Sequence, residues 1–412
     1  MGIRFVGRGL PILVALTAFA CGDSPVEPTA DVLFEQISGG LQHTCGLSAD
    51  GDAFCWGWNR DNQLGDGSGL DRTVPVAAQP GAQFVELTAG GAHTCALDAT
   101  GQASCWGLNL TGQLGNGSNV DSNDRVAVSG GHSFVTLSAG GTLTCGITDT
   151  GAAHCWGWNG QGQLGDGTLE DTNEPVAVGG GLLFTQIDVG NFHTCGLAST
   201  GEVYCWGRNG SGQLGNGTQE TSALPVRADY NFAFTAVAVG DQHSCARDDQ
   251  GRVLCWGAND AGQLGIGSNQ SSSTPSEVVG GRIFSQLFAE GNFSCALNLT
   301  GEGYCWGSND FGQHAGRSPT LCTEFDELGQ IRSQFACVDF PIQMQNPDAD
   351  NDGASDLLFR ALTLGAHYAC GIAVGEATFY WGSGKVGELE NGQSGDAYFS
   401  TVPVRVLKQP GS

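Results

Sequence analysis

The sequence predicts an all-β repeat protein, a propeller or a solenoid, built from seven copies of one unit. Three observations predict it. Cys45, Cys95, Cys145, Cys195, Cys245 and Cys295 stand fifty positions apart, and Cys55, Cys105, Cys155, Cys205, Cys255 and Cys305 repeat that ladder ten positions later. A period of this size marks a stacked or circular array rather than a two-layer domain. Gly supplies 67 of 412 residues, well above the usual ~7%, as a chain with many short turns requires. Each copy also carries four short runs of strand-forming residues bounded by turn residues.

The chain opens with an export signal, Met1 to Cys21. Arg4 and Arg8 precede an apolar run from Leu10 to Ala20 that only Pro11 and Thr17 interrupt. Eleven residues are too few to span a bilayer, for which about twenty are needed. The end, Ala18-Phe19-Ala20-Cys21, has two readings. Ordinary signal peptidase would cut after Ala20; alternatively the segment is a lipobox, imperfect at Phe19, and Cys21 becomes the lipidated first residue. Residues 22–31 then form a polar linker that begins Gly22-Asp23-Ser24-Pro25. Both readings carry the chain out of the cytoplasm, where disulfides persist. The repeats occupy 32–408, with an insertion at about 314–345, an Asp-rich loop at 346–358 and a tail at 409–412.

Copy one shows how each unit is built. Strand signals fall at Phe34 to Ser38, His43 to Leu47 and Ala53 to Trp56, with a turn at Asp50-Gly51. The stretch Gln63-Leu64-Gly65-Asp66-Gly67 is loop, and a fourth strand begins near Val74-Pro75-Val76, where Pro suits a strand edge. Four short strands make one antiparallel blade. A hairpin turning near Asp50 sets Cys45 opposite Cys55. Directly opposed residues at a non-hydrogen-bonded pair lie about 4.5 Å apart at Cα, within disulfide reach. So small a closed loop contributes up to about 3 kcal/mol. Zinc pairs place two to four residues between cysteines, and here there are nine. A stack of reduced core cysteines requires that export fail. Cys322 and Cys337 are left to each other in the insertion. Cys370 meets Tyr380 where a second cysteine would stand and reads as a buried thiol.

Only 16 Lys+Arg oppose 42 Asp+Glu, a net charge of −26. Such a surface repels phosphate backbones and anionic lipid. Nucleic acid is therefore excluded as a partner, and membrane contact is confined to a lipid anchor on Cys21. A monomer is expected.

Repetition also separates scaffold from site. His43, His93, His193 and His243 recur at one strand position, as do Trp56, Trp106, Trp156, Trp206, Trp256, Trp306 and Trp381 at another. They read as a scaffold hydrogen-bonder and blade core rather than a metal ring or a binding stripe. The position after Cys-Trp-Gly varies instead: Trp58, Leu108, Trp158, Arg208, Ala258, Ser308 and, after Tyr-Trp-Gly, Ser383. It lies where a strand leaves for a loop, so Trp58, Leu108, Trp158 and Arg208, with Arg60 and Leu110, line an arc on one face. Aromatics and Arg dominate interface energetics. In the Asp-rich loop, Asp348, Asp350, Asp352 and Asp356 occupy positions 1, 3, 5 and 9 around Gly353 at 6. That spacing wraps Ca²⁺ and resembles the calcium loops of thrombospondin type-3 and dockerin segments. Phe359 replaces the Glu that a full EF-hand needs at position 12. A solvated acidic loop is the alternative.

The string HTCALDATGQASCWGLNLTGQLGNG at His93 to Gly117, followed by a Pro-Val or its equivalent, resembles the repeat of the regulator of chromosome condensation family. Copies one, four and five keep it closely, copy three has Leu143 for the His, copy six decays after Gly312-Gln313, and copy seven keeps Tyr380-Trp381-Gly382. The resemblance implies a closed seven-bladed β-propeller of four-stranded antiparallel blades. Val402 to Val406 reads as the fourth strand of copy seven, and closure of the ring is expected to pack it beside the strands of copy one. The family includes a nucleotide-exchange factor for a nuclear GTPase and secreted bacterial inhibitors of β-lactamase, so fold alone does not choose an activity. Exchange activity is inconsistent with the export signal and the charge. The expectation is an exported, non-catalytic scaffold, in the cell envelope as an outer-membrane lipoprotein or secreted, that binds a protein or a surface glycan through one propeller face. The alternatives are an extracellular hydrolase or lyase with an axial site, or a secreted inhibitor of a periplasmic enzyme. An enzyme would break the repeat with titratable residues at the axis.

Overall fold

The computed structural model describes residues 33–316, 320–325, 331–345, 357–384 and 399–406. The export signal, Cys21 and the linker lie outside these residues, as do Asp348, Asp350, Asp352 and Asp356. Blade 1 consists of Phe34–Gly39, His43–Ser48, Ala53–Gly57 and Arg72–Ala78, paired in that order. Six further antiparallel sheets follow, with inner strands starting at Glu86, Phe134, Phe184, Phe234, Phe284 and Phe359. Each inner strand packs against the next, and the seventh, Phe359–Gly365, returns to the first. The result is a closed seven-bladed propeller.

The hairpin register is the one that the cysteine spacing requires. Cys45 faces Cys55, and the five equivalent pairs repeat this with Cα separations of 4.0 to 4.1 Å, each closed as a disulfide. Blade 6 carries more than the expected four strands. Its outer strand is Ile331–Gln343, and Thr320–Phe325 adds a fifth, tied by Cys322–Cys337. Much of the insertion is therefore a hairpin laid on the outer edge of that blade.

Two hydrogen-bonding devices recur at blade junctions. The Gln63 carbonyl accepts the Thr94 hydroxyl at 2.8 Å and the Trp106 indole N–H at 3.0 Å from the next blade. Because Thr94 donates there, the His43 Nε2 that lies 3.0 Å from its oxygen must donate to it. The same contact joins His93 to Thr144, His193 to Ser244 and His243 to Ser294. These histidines are scaffold, fully buried, and burial lowers each to a pKa of about 3. Gly65, at φ +63°, belongs to this device: a Cβ there would stand 2.7 Å from the Trp106 Nε1. Only glycine allows that loop to reach the indole.

Inner strands of neighbouring blades are joined by side chains rather than by a backbone ladder. Ser38, Thr88, Asp188 and Thr363 each accept a backbone N–H of the next inner strand at 2.7 to 3.0 Å. Gln36 does so two residues earlier, both accepting from and donating to Leu87, and Glu86 accepts the Leu137 N–H at 2.8 Å.

The last strand is the fourth of blade 7, as expected, but its packing beside blade 1 is slighter than expected. The last strand, Phe399–Arg405, completes its own blade by pairing with Thr378–Ser383, and only Val406 beyond it joins the core of Phe34 and Trp56. The junction itself is made by inner elements. Arg360 reaches the Phe34 carbonyl and Glu35, and the Tyr368 hydroxyl meets Thr44, Gly40 and His43. Blade 7 supplies all four of its strands from its own stretch of sequence.

Candidate functional site

In blades 1 to 5 the turn between the first two strands and the long loop after the third emerge on one face. The backbone ties them together: Trp58, Leu108, Trp158 and Arg208 each donate an N–H to residues 42, 92, 142 and 192, at 2.8 to 3.0 Å. The four residues predicted to line an arc therefore do share a face. The arc is divided, however. Trp58 and Leu108 border a cavity of about 470 Å³ at the axial mouth, together with Leu41, Ala92, Thr142 and His367. Trp158 packs edge-on against Phe192 at 6.0 Å rather than lining that cavity, and Arg208 lies over the same ring at 5.4 Å. Phe192 occupies the place where blades 1 to 3 have Gln42, Ala92 and Thr142, so blade 4 offers an aromatic platform that those blades lack. Arg60 stacks on Trp58 at 4.8 Å.

The long loops extend the arc outward. Leu70, Leu110, Val120 and Leu169 are 63, 69, 72 and 58% exposed. At the position of Leu70 and Val120, blades 3, 4 and 5 carry Glu170, Glu220 and Gln270. These exposed aliphatics are thus concentrated on blades 1 to 3, and blade 6 adds Phe311 against His367. Exposed aliphatics clustered on one face mark an interaction surface more than isolated ones do.

Beneath the mouth the axis narrows. Gly40, Gly90, Gly140 and Gly190 bring backbone against backbone around it; a Cβ on Gly40 would stand 2.2 Å from the Gly90 carbonyl oxygen. Below this ring lies a channel of about 280 Å³ walled by the inner strands. Sequence reasoning found no titratable cluster at the axis, and the structure shows one. Glu290 stands at the ring position that is Gly in blades 1 to 5 and 7, and lines both the channel and the constriction. Asp241 follows one position on in blade 5, hydrogen-bonded by Asn191. Burial raises the Glu290 carboxyl well above its ordinary value, and the charges of Asp241 and Asp188 add to the effect. Burial likewise raises Asp241, against the Asn191 hydrogen bond and the His367 charge that lower it. Asp188 is pushed up to about 6 by burial despite its bonds to Val239, Val189 and Ser138. Asp188 and Glu86 are already used in joining inner strands, and Asp241 joins neighbouring blades through Asn191 and its own N–H to the Gly291 carbonyl; Glu290 makes no such contact among the described residues. The signal available in the sequence was a Glu in a column of glycines.

Elsewhere the site residues fall as follows. Cys370 is buried opposite Tyr380 in the register that pairs cysteines in the other blades. Among the described residues no group of three or more His, Cys, Asp or Glu is arranged to hold a metal.

Known proteins agree with this architecture. The sequence profile of the regulator of chromosome condensation (RCC1) repeat matches residues 50–97, 150–197, 200–247 and 250–297. A second profile of the same repeat matches 34–63, 84–113, 184–213 and 234–263. The ultraviolet-B receptor UVR8 of Arabidopsis thaliana is 43% identical over 51 residues, 12% of this chain and 12% of the receptor. Prp20p of Saccharomyces cerevisiae, a protein described with binding properties to Gsp1p and histones, superposes with a TM-score of 0.74 at 22% identity, over 89% of this chain and 88% of its own. Human WBSCR16 gives 0.73 at 19% identity, over 86 and 94%. At these identities the superpositions speak for the fold alone, while the repeat profiles speak for the sequence. The chain belongs to the regulator of chromosome condensation (RCC1) repeat family.

Proposed function

We propose that this protein is an exported, non-catalytic scaffold that binds a protein partner through the face bearing Trp58, Leu108 and Trp158. The observation that carries the reading is the cluster of exposed Leu70, Leu110, Val120 and Leu169 on the long loops of blades 1 to 3, beside a mouth cavity that Ala366 and His367 of blade 7 complete. The repeated scaffold requires none of these side chains, since the equivalent positions of later blades are polar or small. Buried aromatic anchors surrounded by aliphatics are what partners grip. The disulfides suit an oxidising exterior, in keeping with a secreted or envelope-anchored monomer whose Asp348 to Asp356 loop takes Ca²⁺. A protein rather than a surface glycan is favoured because the arc is broad and aliphatic. An inhibitor of a periplasmic enzyme would be one form of such a binder.

The axial carboxylates favour a second reading, a hydrolase or lyase. It is the weaker one, because Asp188 and Glu86 are committed to joining inner strands and Asp241 to joining blades, which leaves Glu290 without a second catalytic group beyond His367. The test of the binding reading is capture from envelope extract by wild type and by the Trp58→Ala/Trp158→Ala variant. A specific partner retained by the first and lost by the second is expected. Equal capture by both would remove this face from consideration.

A further inference from the structure

Blade 5 breaks the repeat at one core position. The counterparts are Leu47, Leu97, Ile147, Leu197, Leu297 and Ile372, and blade 5 has Arg247. Its side chain faces blade 6: His243 and Cys245 both meet Ser294 of that blade, and Arg247, two positions beyond Cys245, shares their side of the strand. Its neighbours in register, Ala236 and Val253, offer no side-chain acceptor. The Nε is buried without a partner, and Arg247 has no ion pair among the described residues. A cation drawn out of water with no counter-charge is costly, and the aliphatics of the other blades show that the fold does not need one there. A second guanidinium stands at the same seam. Arg282 begins the segment that leads into the first strand of blade 6, and that segment packs on the turn that follows Arg247. The Phe284 N–H donates to the Gly251 carbonyl at 2.8 Å, and a Cβ on Gly251 would stand 2.7 Å from the Ile283 Cγ2. Arg282 is exposed and lies over the Tyr304 ring at 4.4 Å. Stacking occupies the face of a guanidinium and leaves its N–H edge free to bind. The two other arginines on this side of blades 4 and 5 have acids, Arg227 with Glu202 at 2.9 Å and Arg252 with Asp248 at 2.7 Å. Glu302, near Tyr304, is taken by Asn298 and Gln343.

We infer that Arg247 and Arg282 form a site for a small tetrahedral oxyanion, phosphate, sulfate or a monoester of either, at the seam of blades 5 and 6 on the side away from the mouth. Guanidinium edges present paired N–H groups that match the oxygens of such an anion, and a dianion balances the two charges. The net charge of −26 disfavours a polyanion. A single small group instead answers to charges within about 8 Å, the screening length at physiological ionic strength. The site lies apart from the apolar arc, so it stands independently of the binding reading above.

The test is calorimetric titration of the purified oxidised protein with inorganic phosphate, inorganic sulfate, glycerol phosphate and a sulfated monosaccharide, in chloride buffer of constant ionic strength. Saturable binding is expected in wild type. Arg247→Leu copies the residue that other blades carry and should keep the fold, which circular dichroism checks. It should weaken binding by at least about tenfold, as should Arg282→Ala, since each removes charge-assisted hydrogen bonds of that order. Tighter binding of the esters than of the inorganic ions would support the site and identify its ligand as an ester; equal binding would support it as a site for the free ion. No binding of any of the four by wild type, or binding undiminished in Arg247→Leu, overturns the inference.

Discussion

Blade 7 sets Cys370 against Tyr380 in the same register that sets Cys45 against Cys55 in blade 1. The six earlier blades close that position with a disulfide, and four of them reach the next blade through a buried His. Blade 7 has Tyr368 at the His position, stacked on Tyr380 with ring centroids 4.8 Å apart. The Tyr368 hydroxyl lies 2.6 Å from the His43 carbonyl oxygen, 3.1 Å from that of Gly40 and 3.0 Å from the Thr44 hydroxyl. One aromatic hub thus replaces a covalent clip and a His–Thr contact at the junction where the ring meets its own beginning. Trp56 shows what else changes. Its six counterparts donate to the preceding Gln carbonyl, whereas its Nε1 has no partner among the described residues. The comparison teaches that the ring depends on filled, hydrogen-bonded junctions, and that the disulfide is one way of holding a blade rather than a condition of being one.

The largest effect should come from erasing the difference. Each small loop closed by a disulfide contributes about 2 to 3 kcal/mol, so reducing the six intrablade bonds removes more than about 10 kcal/mol, comparable with the whole stability of a typical domain. Reduced protein is expected to be unfolded by circular dichroism where oxidised protein is folded; a cooperative transition retained in full reductant would show that the blades do not need their sulfurs. Tyr368→Phe comes next. It keeps the stack on Tyr380 but deletes the hydroxyl, leaving the Gly40 carbonyl and the Thr44 hydroxyl short of a partner in a buried junction. A loss of about 1 to 3 kcal/mol in urea denaturation is expected. An unchanged midpoint would move the closing role to Arg360 and the inner-strand contacts.

Much of this was legible in the sequence, for a physical reason. A repeat exposes its scaffold by keeping it constant, so strand positions, cysteine pairing and the structural part of His43 and Trp106 could be read from one chain. Phe34–Gly39 and Ala53–Gly57 each extend the expected strand by one residue. What could not be read is what adjacency around an axis creates. The joining of inner strands by Ser38, Thr88 and Asp188 links residues fifty-one positions apart whose individual types look like ordinary polar variation. Trp158 was expected to continue the patch of Trp58 and Leu108, yet it packs on Phe192 from the following blade. Glu290 was visible as a Glu among glycines, but Asp241 lies in another copy, and only the closed ring brings its N–H to the carbonyl of Gly291, beside Glu290.

The smallest effect concerns the histidine junctions and sharpens the comparison through pH. His43, His93, His193 and His243 have folded pKa values of about 3 against 6.5 in model compounds. The unfolded chain takes up protons below pH 6.5 that the folded chain refuses. Their contribution is therefore complete above pH 6.5 and is lost progressively as the pH falls toward 3, by up to about 1.4 kcal/mol per pH unit for each histidine. Asp188 acts in the opposite sense, since a folded value of about 6 lets the native state take its proton first. Blade 3 already carries Leu143 at the His position, buried and tolerated. His93→Leu copies it and loses the contact to Thr144, whose hydroxyl still donates to the Gln113 carbonyl at 3.0 Å. At pH 7 the change should cost no more than about 1 kcal/mol. At pH 5 the variant should have lost less stability than wild type, its acid limb shallower by close to one proton. Urea midpoints at the two pH values decide it: parallel pH dependences would mean that His93 is not held neutral by its burial between blades, and the junction would have to be explained without it.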